Sequence, residues 1–170
     1  MSEQNKEIVR RWQEAYNRGD YEELDELLAP DWVTNGWLDG VPKTVEMAKE
    51  LDRSIKAQQP DLHYVTNELI AEGDRVVQLC TFVATHNDEV FGCPPTGKQV
   101  TAGVANVFRI ADGKIVEHFS FATELDFLRQ LGAPLHEAWL ALMHRAPELE
   151  PELEPRGDAT GVSSLGGIAK

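Results

Sequence analysis

Few side chains in this sequence combine the type and the setting needed for proton transfer or carbonyl recognition. His86 ends an alternating run in which Cys80, Phe82, Ala84 and His86 share one face. An imidazole titrates near neutral pH, so on an apolar face it could take a proton or orient a carbonyl. Bonded to the backbone of the loop that follows, the same histidine would be structural. Asn35 lies between Trp32 and Trp37. Its amide offers donors and an acceptor but no proton transfer. There it would grip a carbonyl or hydroxyl of a ring-shaped ligand, or supply a left-handed turn before Gly36. Asn106 is the polar break in the face Val100, Ala102, Val104, Asn106, Phe108, Ile110. Once buried it must be satisfied, by a ligand or by neighbouring side chains. Glu124 and Asp126 suit the first turn of a helix, where the dipole favours carboxylates. A slip of one residue would instead turn Glu124 toward the chemistry.

Other chemistries lack their residues. The chain has no phosphate-binding loop, no paired-histidine metal motif and no nucleophile elbow, so no metal and no cofactor is expected. Cys80 and Cys93 match no metal or redox spacing. With 16 Lys and Arg against 29 Asp and Glu, the formal net charge is −13. That balance disfavours nucleic acid, which demands a cationic footprint, and anionic membrane surfaces. No apolar run is long enough to span a bilayer, and the N-terminus has no signal-peptide core. A cytoplasmic protein with a small-molecule or protein partner is the expectation.

The elements that must position these residues show as changes of period. Residues 3–18 read as a helix, with Ile8, Val9, Trp12, Ala15 and Tyr16 at helical spacing. Asp20 caps a short second helix with Leu24, Leu27 and Leu28 on its apolar face, closed by Pro30. Residues 31–40 are aromatic and rich in turn formers. A third helix after Pro42 carries Val45, Ala48, Leu51 and Ile55. Then residues 62–71 and 75–86 alternate as strands around the turn Glu72-Gly73-Asp74. A loop over 87–97 leads to a long strand, 99–110, and the Asp112-Gly113 turn folds it back into 114–121. Helical patterns follow at 124–131 and 134–145. From Pro147 the apolar period stops, and residues 147–170 read as a flexible acidic Pro/Glu then Gly/Ser-rich tail after a domain of residues 1–146. The order predicts an α+β fold, an antiparallel sheet with helices on one face and a small-molecule cavity between them. Tyr16, Trp37, Phe108 and Phe119 are the aromatics expected to wall it. On the last strand Phe119 and Phe121 share a face, so His118, of opposite parity, is expected to point away.

Three strings resemble the SnoaL-like polyketide cyclase and ester cyclase group of the NTF2-like superfamily: ATHNDEVFGCPPTGKQV (84–100), NVFRIADGKIVEHF (106–119) and LRQLGAP (128–134). EAYNRGDYEELDELLAPDW (14–32) and AEGDRVV (71–77) are similar to that superfamily's helical pair and first hairpin. The resemblance implies a cone-shaped, curved antiparallel sheet packed on N-terminal helices and enclosing a pocket. It also implies an acid/base aspartate on the last strand, four residues after the aromatic that follows Ile-Val-Glu. Counting from Phe119 places Thr123 there. Its hydroxyl hydrogen-bonds but does not shuttle protons unaided at neutral pH.

Three readings stand. The chain is a cyclase, isomerase or lyase working without a cofactor on a polyketide-like or other small hydrophobic cyclic intermediate. In that case His86, Asn35, Thr123 and Glu124 carry the chemistry, and Tyr16, Trp37, Asn106, Phe108 and Phe119 the binding. Alternatively, with Thr123 in place of the aspartate, it is an auxiliary hydroxylase-type protein or a non-catalytic small-molecule-binding module. Thirdly it is an interaction domain, and a homodimer through the open face of the sheet is expected in every case.

Overall fold

The computed structural model describes residues 2–35 and 44–133. Their order is α1 (Ser2–Arg18), α2 (Tyr21–Leu27), β1 (Leu28–Asn35), α3 (Val45–Gln58), β2 (His63–Glu72), β3 (Arg75–Thr85), β4 (Gln99–Ala111), β5 (Lys114–Ala122) and α4 (Glu124–Leu131). The predicted helix over 134–145, the tail and Trp37 lie outside the described residues.

Local chemistry explains the helix boundaries. Asp20 caps α2, its carboxylate accepting the Glu23 N–H at 3.1 Å. The Thr44 hydroxyl does the same for α3 through the Met47 N–H. Gly132 ends α4 in the left-handed conformation, φ 82°, which a residue without Cβ adopts freely.

The five strands form one curved, open sheet in the order β1-β5-β4-β3-β2. Neighbours are antiparallel except β1, which runs parallel to β5 at one edge. This corrects the sequence reading at two points. Leu28 is the C-cap of α2 and begins a strand, rather than extending the helix face. The aromatic stretch read as turn-rich is largely strand up to Asn35. Pro30 fits in β1 because an edge strand has one side free of ladder bonds. The register there shifts between Leu28 and Val33.

The core lies between α1 and the inner face of the sheet. Val9, Trp12 and Ala15 pack on Val76, Phe108, Ile110 and Ile115. Phe108 and Ile115 are fully buried, contributing about 1.5–3 kcal/mol each. All six residues of the predicted β4 face are buried.

A bulge in β5 determines which of its residues join them. Ile110 pairs with Ile115 and Arg109 with Glu117, leaving Val116 unopposed. One extra residue reverses the side-chain alternation beyond it. Ile115 points inward, and past the bulge His118 and Ser120 oppose Phe108 and Asn106. Glu117 goes outward to Arg109 at 2.8 Å and Arg75 at 3.3 Å. Phe121, expected inside, is 62% exposed.

Candidate functional site

Between the sheet and helices α1 and α3 lies a cavity of about 440 Å³. Trp12, Tyr16, Trp32, Tyr64, Phe82 and Phe127 supply its aromatic surface. Their apolar faces suit a flat, largely hydrophobic molecule. Among the polar groups of its lining, His118 and Asp52 each anchor a hydrogen-bonded cluster.

The first is His118 on β5. Its ring stacks on Phe108 with centroids 4.7 Å apart and planes 6° from parallel. Trp12 meets it edge-on at 5.1 Å, and Trp32 lies 6.4 Å away. The burial this imposes pushes its pKa down to about 4. The imidazole is therefore neutral at pH 7, one nitrogen donating and the other accepting. Nε2 lies 3.1 Å from Asn106 Oδ1. Asn106 in turn donates to Gln78 Oε1 at 2.9 Å and to Cys80 Sγ at 3.5 Å. Asn106 is thus satisfied by its neighbours while still lining the cavity. His118 Nδ1 has no hydrogen-bond partner among the described residues.

The second is Asp52 on α3, 4% exposed. Its Oδ2 accepts from Tyr21 at 2.8 Å and Lys56 at 2.9 Å. Lys56 also donates to the Tyr16 carbonyl. Asp52 Oδ1 and the Trp32 indole N–H are buried without a partner among the described residues. Burial, with Tyr64 and Asp52 nearby, raises the Tyr16 hydroxyl well above its usual value. Burial and the bond to Asp52 push Tyr21 up to about 12. Both phenols are neutral donors at pH 7. Among the described residues no three His, Cys, Asp or Glu side chains group as metal ligands would.

The sequence profile of the SnoaL-like polyketide cyclases matches residues 6–131. The chain belongs to the SnoaL-like polyketide cyclase family. The aklanonic acid methyl ester cyclase DnrD of Streptomyces peucetius is 28% identical over 131 residues, 75% of this chain and 90% of that protein. AcmA of Streptomyces galilaeus, of the same description, is 27% identical over 151 residues, 86% of this chain and all of that protein. Among solved structures, IdmH of Streptomyces antibioticus superposes with a TM-score of 0.69 at 32% identity, over 76% of this chain and 99% of its own. AclR, a candidate hydroxylase from Streptomyces galilaeus, gives 0.67 at 30%, over 78% and 98%.

Within this SnoaL-like fold, the residues singled out from sequence separate into two groups. Tyr16 and Asn106 line the cavity. Phe108 lies directly behind it as the plate under His118. His86, Thr123, Glu124 and Phe119 lie elsewhere. His86 is fully buried away from the cavity. Its carbonyl accepts the Thr96 and Gly97 N–H groups, its N–H donates to Lys98 O at 2.9 Å, and Nδ1 sits 3.1 Å from Thr96 Oγ1. Its backbone and Nδ1 tie it to the base of the 87–97 loop, and its Nε2 is buried without a partner among the described residues. Thr123 stands at the N-cap of α4, exposed, its hydroxyl accepting the Gly103 N–H at 2.9 Å. Glu124 is an exposed first-turn residue of the same helix. Phe119 shares the outward parity, opposite Val107. Asn35 closes β1 opposite Phe119.

His118, Asp52, Gln78 and Gln13 are the residues that sequence reasoning missed. His118 had a signal. It is the residue that opposes Phe108 once one bulged position is allowed in the hairpin. Gln78 also had one, as the polar member of the buried series Val76, Gln78, Cys80. Asp52 reads as an ordinary i,i+4 partner of Lys56, and only the tertiary packing of α3 brings it to the cavity.

Proposed function

We propose that this SnoaL-like protein is an enzyme performing cofactor-independent acid/base chemistry on a neutral, polyketide-like cyclic intermediate. The reaction class is cyclisation, isomerisation or dehydration through an enolate. The observation that carries the proposal is a neutral, half-buried histidine, His118, on the wall of an aromatic cavity. His118 Nδ1 removes a proton activated by an adjacent carbonyl. The Tyr16 hydroxyl and the Trp32 N–H, without a partner among the described residues, stabilise the developing oxyanion. The apolar walls exclude water and hold the rings in register. Kinship with the aklanonic acid methyl ester cyclases supports an esterified, uncharged substrate, and the His118 environment, which admits no charge, agrees with it.

Aklanonic acid methyl ester, followed by chromatography with mass detection, is the first probe. Wild-type turnover is expected, and His118→Gln should lose about 10²–10⁴-fold in kcat, the usual worth of a positioned base. Undiminished turnover by that variant would remove His118 from the mechanism. Thr123, where relatives of this resemblance carry an aspartate, and the likeness to AclR favour a second reading, an auxiliary hydroxylase-type or binding protein. Tight binding of the ester with no consumption would select it.

A further inference from the structure

We infer that Asn17, Gln13 and Gln78 are positioning residues that set the tautomer of His118, holding its proton on Nε2 and keeping the Nδ1 lone pair free. The chain of amides is anchored at a backbone far from the imidazole. Asn17 Nδ2 donates to the Tyr64 carbonyl at 2.9 Å, and Asn17 Oδ1 accepts the Tyr64 N–H at 2.9 Å. A peptide N–H only donates and a peptide oxygen only accepts. Rotating the Asn17 amide would therefore break both bonds and set like groups face to face.

That fixed end orients everything beyond it. Asn17 Oδ1 can offer Gln13 only an acceptor, so Gln13 presents Nε2, at 3.3 Å. Gln13 Oε1 then receives Gln78 Nε2 at 3.1 Å. Gln78 Oε1 receives Asn106 Nδ2 at 2.9 Å. The oxygen left on Asn106 faces His118 Nε2 at 3.1 Å, so that nitrogen must carry the hydrogen. Each amide has one donor end and one acceptor end committed, and none can flip without opposing oxygen to oxygen or nitrogen to nitrogen.

The side branches do not weaken the polarity. Thr66 Oγ1 accepts from Gln78 Nε2 at 2.8 Å, and its hydroxyl hydrogen rotates to suit. The Cys80 thiol, pushed up to about 11 by burial, stays protonated and serves Asn106 as a weak acceptor. Gln13 is 4%, Gln78 0% and Asn106 3% exposed, so water does not compete for these bonds. The chain crosses from α1 through β3 and β4 to β5. It carries no charge, which a cavity this apolar would penalise.

The catalytic importance of the device rests on His118 being the base. The tautomer itself does not, and the experiment separates the two. Imidazole ¹⁵N shifts are read at pH 7 in histidine-labelled protein, with His118→Gln giving the assignment. The wild type is expected to show a protonated Nε2 and an unprotonated Nδ1. Gln13→Leu cuts the chain in the middle, and Asn17→Ala removes its anchored end. Either should move both shifts toward averaged values. Either should also lower kcat by up to about twofold with KM little changed, because only the competent fraction reacts. Adding Asn106→Asp to Gln13→Leu restores the wild-type pattern when the shifts are read above the imidazole's raised pKa, since a carboxylate has no donor to offer Nε2. It also moves the acid limb of the pH profile upward, because the anion stabilises the imidazolium. A wild type protonated on Nδ1, unchanged shifts in both cut variants, or failure of Asn106→Asp to restore the pattern would overturn the inference. If the shifts behave as expected but His118→Gln retains turnover, the amide chain stands and the assignment of the base falls.

Discussion

The depressed pKa of His118 makes the protein's stability fall on mild acidification, by an amount that can be worked out. In the unfolded chain this histidine has the ordinary value of 6.5, and in the fold burial lowers it to about 4. Between those two values the unfolded state binds a proton that the native state refuses. Stability contributed by His118 is therefore fully present above pH 6.5 and is lost as pH falls toward 4. The complete difference is about 3 kcal/mol, at about 1.4 kcal/mol per pH unit. From pH 7.5 to pH 5.0 the linkage integral gives about 2 kcal/mol. The window lies above the range where ordinary carboxylates titrate, and the ion-paired Glu117 is held lower still. Urea unfolding at the two pH values, on the wild type and on His118→Gln, isolates the imidazole. Glutamine keeps an N–H for Asn106 and has nothing to titrate, so contributions common to both proteins cancel. The wild type should lose about 2 kcal/mol more than the variant over this interval. The activity of the wild type should stay level to about pH 5 and decline toward pH 4 as Nδ1 becomes occupied. Equal losses in the two proteins, or a His118 titration midpoint near 6.5 by NMR, would refute the half-buried neutral base.

Three further outcomes follow from the same geometry. Asp52→Asn leaves Lys56 beside the Tyr16 carbonyl without its anion, and urea unfolding should show a loss of about 1–3 kcal/mol. Thr123→Asp places the carboxylate of the family resemblance against Gly103, outside the cavity, so turnover of the cyclase probe should not rise above wild type. The open face of the sheet exposes Val33, Ile70, Leu79 and Phe121, and we propose that a second copy covers it. Light scattering should give twice the 19.0 kDa chain mass, and Leu79→Glu should return it to one chain.

Legibility in the sequence followed the locality of the interactions. The helix α2 was readable from Asp20, whose carboxylate acts three residues away. Strand β4 was readable from alternation, because no extra residue interrupts it and its burial alternates along its length. The family strings were readable because their turns and loop are local motifs. Strand β1 was not. Its pairing with β5 joins residues more than eighty positions apart, and its Pro30 and aromatic residues carry turn chemistry that only an edge position tolerates. Asp52 was hidden for the same reason, since its neighbours on α3 say nothing of Tyr21. The decisive miss was β5. Strict alternation from Ile115 leads to Phe119 and Phe121 inside, and hydrophobicity agrees with it. A single unopposed residue, Val116, reverses that outcome and exchanges two phenylalanines for His118 and Ser120 on the inner face.

That exchange bears on why the chemistry of this cavity takes the form it does. A carboxylate base on the inner face of β5 would have to be held ionised among Trp12, Trp32 and Phe108, at a desolvation cost of several kcal/mol unless paired. The chain, with 29 carboxylates, brings Asp52 to the cavity, and there it is spent on Lys56 and Tyr21. His118 meets the same requirement without charge. Burial lowers its basicity, so it takes a proton only from a carbon already acidified by a carbonyl. The low pKa also leaves Nδ1 unoccupied at every pH where the protein is fully stable. A neutral base needs its lone pair on the correct nitrogen, which a carboxylate does not. That requirement accounts for the four amides standing behind it, three of them buried, with Gln13 and Gln78 contributed by elements that otherwise present apolar residues to the core.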